Sequence, residues 1–302
     1  MKKHLFIFLL AFLAGACGKE YETAPGDAAN GEQTQNGNEP GDAGASRIGV
    51  TVNFTGIEWT VNNLAVTFAS SRAAALPGEN AVSAIDLYMF ASGSADGPFI
   101  YEDSWRLDAT SSTKIEALAA RPFKTFYAIA NSPRMIDGLT AGVSTVNEFL
   151  AQTTFAVTYP LTPPLPMSAA ATIDLSATTT LSMTLQRLCA RLDIANDPSA
   201  TGFDIRSVTI SDARDGVKLF TAAPSYSPAA AAPFTIGPPL NANGVTTGVT
   251  IYVAPSTATG QLTISFSGEN IVDGQPDVRT INTSSLDILP GKIYSFALPV
   301  AP

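Results

Sequence analysis

Residues Thr180–Asn196 read TLSMTLQRLCARLDIAN. Apolar residues alternate at Leu181, Met183 and Leu185, then again at Leu188, Ala190, Leu192 and Ile194. Alternation marks a strand with one buried face. The parity changes between Leu185 and Leu188. Successive side chains point to opposite sides of a strand, so the buried set cannot change sides without a fault. The segment therefore predicts a β-bulge or a break near Gln186-Arg187, or else a strand buried on both faces.

The same period runs through the chain on either side. Ile48, Val50, Val52 and Phe54 alternate with small or polar residues, as do Leu64, Val66 and Phe68, and then Ile85, Leu87 and Met89. Further strands are predicted at Thr113–Leu118, Lys124–Asn131, Phe203–Ser211, Val217–Phe220, Val249–Val253, Leu262–Phe266 and Lys292–Pro299. Helical spacing occurs at Thr145–Gln152, where Val146, Phe149 and Leu150 share a side. Tyr159–Met167, YPLTPPLPM, carries four prolines and can be neither a helix nor a central strand. Many short strands with Gly/Pro-rich turns predict an all-β protein with a β-sandwich in each half and a short helix in the first. The expected divisions are a leader at 1–16, a tether at 17–46, a first sandwich at 47–160 and a second at 161–302.

The N-terminus reads MKKHLFIFLLAFLAGAC. Two lysines, an apolar run and Ala14-Gly15-Ala16 before Cys17 form a secretory leader of the lipoprotein kind. Cys17 would become the acylated N-terminus, and multiple acyl chains anchor stably where one would not. Gly18-Lys19-Glu20-Tyr21-Glu22 resembles the surface-export signal of Bacteroidetes lipoproteins. Residues 18–46 contain one aromatic and many Gly, Asn, Asp and Glu, the composition of a flexible tether. Loss of Lys2 and Lys3 with the leader takes the formal charge from −9 to −11. So acidic a chain repels nucleic acid.

Composition also excludes chemistry. The single histidine is His4, inside the leader. The mature chain therefore has no Ser-His-Asp triad, no Cys-His dyad and no His-ligated metal. Once Cys17 is acylated, Cys189 lacks a disulfide partner, and its apolar setting reads as a buried, inert thiol. No phosphate-binding glycine loop is present. Glu102-Asp103, an acidic pair beside an aromatic, would point to opposite faces of a strand. The expectation is a non-enzyme without cofactor or metal.

Several segments together resemble the fimbrillin family, the pilins of Bacteroidetes type V pili. They are the leader with its tether, LAVTFASSRAAALPGENAVSAIDLYMFASG at 64–93, FKTFYAIANS at 123–132, PMSAAATIDLSATTTLSMTLQRLCARLDIAN at 166–196 and PGKIYSFALPV at 290–300. The resemblance implies two tandem transthyretin-like β-sandwich domains and export as a lipoprotein to the outer membrane and cell surface. It also implies proteolytic maturation between Arg72 and Ala73. Removal of the first strand, with Leu64, Val66 and Phe68, then vacates an apolar groove that a strand of a neighbouring pilus subunit fills. Other subunits, the outer-membrane lipid through Cys17 and host or bacterial surface ligands are the implied partners. Shaft subunits of the family continue into further C-terminal strands, whereas this sequence ends at Pro302, which fits an anchor, tip or accessory role. The segment at 48–60 is longer than the family pattern and is expected to add an edge strand. A surface glycan-binding lipoprotein is the alternative, with Trp59 and Trp105 as the available sugar platforms.

Overall fold

The computed structural model describes residues 46–56, 60–61, 75–108, 110–133, 136–220, 225–226, 230–237, 248–257, 262–283 and 286–298. Their strands are β1 (Arg47–Gly56), β2 (Thr60–Val61), β3 (Ala84–Ser92), β4 (Ile100–Asp108), β5 (Ser112–Leu118) and β6 (Phe123–Ala130). Helix α1 (Val146–Gln152) precedes β7 (Thr154–Ala156), β8 (Met167–Asp174), β9 (Thr180–Arg187) and β10 (Ala190–Ala195). Helix α2 (Pro198–Thr201) is followed by β11 (Phe203–Ser211), β12 (Gly216–Lys218), β13 (Ser225–Tyr226) and β14 (Phe234–Ile236). The chain closes with β15 (Gly248–Val253), β16 (Thr263–Asn270), β17 (Pro276–Asn282) and β18 (Lys292–Ala297). The protein is all-β, as its periodicity predicts.

The first sheet has the order β4-β3-β6-β8-β9-β1-β5. Among the described residues, the strand pairing that joins its halves, β4-β3-β6-β8 and β9-β1-β5, is Met167 with Arg187 and Ser168 with Gln186. Both halves supply one apolar core, with Val50, Val52, Ile85, Leu87, Phe126 and Met183 among its members. The outer face of β3 and β6 is covered too. Tyr88, Phe90 and Tyr127 pack there against Phe149 of α1 and against Val217 and Leu219. This is why β3 is buried at every residue from Ile85 to Ser92, although only Ile85, Leu87 and Met89 follow the alternation. Helix α1 starts on a capping box: Glu148 N–H donates to the Thr145 hydroxyl, and Thr145 N–H donates to the Glu148 carboxylate.

The sheets β15-β10-β18-β2 and β14-β11-β16-β17 share the second core, which includes Leu192, Ile194, Ile205, Ile251, Ile264 and Phe266. A small sheet, β13-β12-β7, completes the fold.

The parity change in TLSMTLQRLCARLDIAN is a break between sheets. Leu181, Met183, Leu185 and Arg187 are buried on β9, while Thr180, Ser182, Thr184 and Gln186 are exposed. At Leu188–Cys189 the strand stops, and β10 starts in the second sheet against β15 and β18. Cys189 lies almost fully buried beside Leu165, Tyr252 and Ile293, and burial pushes its thiol up to about 12.

Two expectations change. β8 and β9 follow the Tyr159–Met167 proline run, yet both pair into the first sheet. The boundary expected at 160/161 therefore does not coincide with the change of sheet, which falls at Leu188–Cys189. Prolines interrupt pairing locally, but they do not decide which sheet the chain rejoins. Second, β1 is not an added edge strand. It lies inside the sheet, antiparallel to β5 from Arg47↔Leu118 to Asn53↔Ser112 and parallel to β9 from Thr51↔Thr180 to Gly56↔Leu185. The short helix α2, capped by Asp197 and ended by Gly202 in the left-handed region at φ 63, was not predicted from periodicity.

Candidate functional site

Cys17, Arg72 and Ala73 lie outside the described residues, as do Trp59 and the predicted strand Leu64–Phe68. What the structure places is the segment from Ala75 onward, after Arg72, and the strands β1 and β2 further upstream.

The following segment begins with Leu76-Pro77-Gly78-Glu79. Proline then glycine suits a turn whose third residue needs positive φ, and Gly78 has φ 82. Glu79 N–H donates to Leu76 O at 3.1 Å, and Leu76 N–H donates to Glu79 Oε2 at 2.6 Å. The Glu79 carboxylate is fully buried. It accepts from the Tyr252 hydroxyl at 2.6 Å and from Arg191 Nη1 at 3.3 Å. Arg191 also donates from Nε to Asp193 at 2.8 Å, and Thr250 donates to the same carboxylate oxygen. Beside them, Arg187 donates to the Asn80 side chain. Burial raises the Tyr252 hydroxyl, and the Glu79 carboxylate adds to the rise. Burial works against the Arg191 charge, but Asp193 and Glu79 outweigh it and its pKa goes up.

A second clamp holds the next residues. Asn131, in the left-handed region at φ 58, accepts from Ser83 N–H at 2.8 Å. Its amide donates to Ala81 O at 2.7 Å and to Leu165 O at 2.8 Å. Asparagine tolerates this backbone region better than other non-glycine residues. The entry to β3 is thus fixed from both sides.

The strand that precedes Arg72 is held differently. β1 contributes Val50, Val52 and Phe54 to the core, and its remaining attachment is mainly the main-chain ladders to β5 and β9. β1 and β2 both lie upstream of Arg72. Without β1, β5 and β9 would face each other across an empty strand position lined by the first core.

On the far side of β5, Leu118 meets a buried ion pair. Glu102 of β4 and Lys124 of β6 have side chains 5% and 0% exposed. Leu118 N–H donates to Glu102 Oε1 at 2.6 Å, and Lys124 Nζ donates to Leu118 O at 2.9 Å and to Glu102 Oε2. Burial draws the Lys124 ammonium below its ordinary pKa, against the pull of Glu102. The β3–β4 register shifts by one residue at Glu102, between Asp103↔Met89 and Tyr101↔Phe90, so simple alternation does not describe Glu102-Asp103. Both side chains are largely buried. Asp103 is pushed up to about 6 by burial, opposed by the Ser104 N–H and the Arg47 charge.

Among the described residues, no group of three His, Cys, Asp or Glu could hold a metal ion, and no helix is long and apolar enough to cross a membrane. Trp105 is a core residue at 2% exposure and offers no sugar platform. Sequence reading did not single out Glu79, Tyr252, Asn131 or the Glu102–Lys124 pair. The available signal was basic residues in apolar strands of a chain with only 17 Lys and Arg.

No protein-family model matches the chain, and no curated protein matches it in sequence. Solved structures do. The tip fimbrial protein Mfa3 from Porphyromonas gingivalis, truncated at its C-terminus, has a TM-score of 0.53 at 13% identity, with 85% of this chain and 96% of that chain covered. A protein assigned to cell adhesion from Parabacteroides distasonis has a TM-score of 0.53 at 15% identity over 84% and 90%. Another, from Bacteroides eggerthii, has a TM-score of 0.53 at 15% identity over 84% and 86%. At these identities the likeness is one of fold. The chain has the fold of Bacteroidetes fimbrial and adhesion proteins, in agreement with the resemblance to fimbrillins carried by its sequence.

Proposed function

We propose that this protein is a structural or anchoring subunit of a cell-surface pilus that supports adhesion and assembles by β-strand exchange. Its halves are the two transthyretin-like sandwiches of such subunits. Cys17 carries the lipid that holds it at the outer membrane, and the site between Arg72 and Ala73 is where an arginine-specific protease acts. A cut there releases residues 17–72, with β1, β2 and the tether. The uncut chain is a strand-complete, anchored subunit; the cut chain accepts a strand from another subunit. Main-chain hydrogen bonds to β5 and β9, with alternate apolar side chains in the positions of Val50, Val52 and Phe54, would hold that strand.

The observation that carries this reading is the place of β1. It is an interior strand, encoded before Arg72, between two strands encoded after it. The anchoring of Leu76–Ser83 supports it too, because the new N-terminus would follow a fixed path into β3.

Two measurements test the reading. The intact mass of the protein taken from its native surface reports acylation at Cys17 and cleavage after Arg72 together. A chain beginning at Ala73 should associate or bind an added strand, while the chain beginning at Cys17 stays monomeric. If both are equally inert monomers, strand exchange at β1 is wrong.

A further inference from the structure

Resting on that reading, we infer that the buried Glu102–Lys124 pair is a latch that keeps β5 in place when β1 is gone, so that the slot stays open for an incoming strand. The need for such a device follows from the sheet. β1 runs antiparallel to β5 and parallel to β9, so β5 and β9 are themselves antiparallel. If β5 moved by one strand spacing, about 4.8 Å, it could pair with β9 directly and close the slot. Among the described residues β5 has no other strand neighbour, being the edge of the sheet order.

The hydrogen-bond directions show what opposes that movement. Ala119 N–H donates to Ser46 O, and Phe54 N–H donates to Ser111 O. By the alternation of an antiparallel ladder, Thr113, Ile115 and Ala117 direct their main-chain groups at β1, while Leu118 directs its own away from it. Glu102 and Lys124 take both of those groups, the N–H and the C=O. They sit on β4 and β6, in the other half of the sheet, so the latch ties β5 to strands that cleavage does not remove. Closing the slot would pull Leu118 from two charge-assisted hydrogen bonds and leave two buried charges with fewer partners, which is strongly unfavourable. The short links from Asp108 to Ser112 and from Leu118 to Phe123 limit the travel of β5 but do not choose between open and closed.

The slot so held fits one kind of occupant. It is an extended segment with three apolar side chains at alternate positions and small or polar residues between them, running parallel to β9.

The test uses the whole chain with the recognition sequence of a site-specific viral protease inserted between Arg72 and Ala73. After cutting and removal of the N-terminal fragment, the probe is a synthetic peptide of residues Arg47–Gly56, RIGVTVNFTG. The cut wild type should bind it, and the E102L/K124M variant should bind at least tenfold more weakly at a temperature well below the melting point of both uncut chains. Equal binding by wild type and variant overturns the latch and leaves strand exchange standing. Failure of the cut wild type to bind overturns strand exchange at β1 and the latch with it. Hydrogen exchange on the cut, empty wild type needs no variant. An open, latched slot predicts fast exchange at Ile115 and Ala117 with Leu118 still protected. Protection at Ile115 and Ala117, with Leu118 now exchanging fast, means that β5 has closed onto β9, and protection at Ile115 and Ala117 in any combination refutes the open, latched slot.

Discussion

The segments on either side of Arg72 are held by opposite means. β1, upstream, is bound through main-chain ladders and three apolar side chains, Val50, Val52 and Phe54. Any strand of suitable pattern could make the same contacts. Leu76–Ser83, downstream, is bound through particular side chains: Glu79 in its pocket with Tyr252 and Arg191, and Asn131 across Ser83, Ala81 and Leu165. Only these residues in this geometry will serve. Transferable binding lies on the side that would leave, and residue-specific binding on the side that would stay. That difference is what a subunit exchanging one strand and keeping the rest requires.

The largest expected effect comes from breaking the downstream side. Glu79→Ala takes away one of the two carboxylates paired with buried Arg191, leaving Asp193 at 2.8 Å, and should cost about 3 kcal/mol, the lower end for loss of one member of a buried pair. Urea unfolding of the full chain should show it. A loss below about 1 kcal/mol would mean that Glu79 does not anchor the segment.

Next is Asp103, close enough to Arg47 of β1 to feel its charge. The folded chain keeps its proton up to about pH 6, whereas an unperturbed aspartate titrates near 3.8. The folded state therefore binds more protons between those values, and stability falls as pH rises through that window. Asp103→Asn should remove this dependence. It should stabilise the protein by about 2–3 kcal/mol above pH 6, with the gain vanishing towards pH 4. Melting curves across pH 4–7 that shift in parallel for both chains would exclude the assignment.

On the upstream side, Val52→Ala removes core volume at a fully buried position and should cost about 2 kcal/mol. In the cut protein the same change in the bound segment should weaken it by about 30-fold. A polar exchange at Thr51 or Asn53, both half-buried, should leave binding within about threefold, as expected of surface substitutions. If Thr51 matters as much as Val52, the slot reads more than apolar pattern. The smallest effect belongs to the helix over the outer face of β3. Thr145→Ala removes one half of the capping box and should cost about 1 kcal/mol, seen as a small drop in melting temperature without change in strand binding.

What could be read in advance followed from one-sided burial. β1 and β9 alternate because one face meets the core and the other meets water. Helix α1 was legible because Val146, Phe149 and Leu150 share one side within a few residues, and Phe149 is the buried one. β3 was legible only in part: its second buried set, Tyr88 and Phe90, depends on aromatic residues far along the chain, Phe149 among them. Arg187 and Lys124 continue the inward parity of β9 and β6, but their charge argues for solvent; both are buried. Their partners, Asn80 and Glu102, are 107 and 22 residues away.

Local alternation by itself determined that this chain is all-β, where most strands fall and that something must fail between Leu185 and Leu188. Those are consequences of period and parity, which act over a few residues. Tertiary structure alone decided that the failure is a passage between two sheets, that β1 lies between β5 and β9, and that Glu79 and Lys124 are inside. Strand order and the pairing of buried charges depend on which distant segments meet, and no local pattern of side chains specifies that.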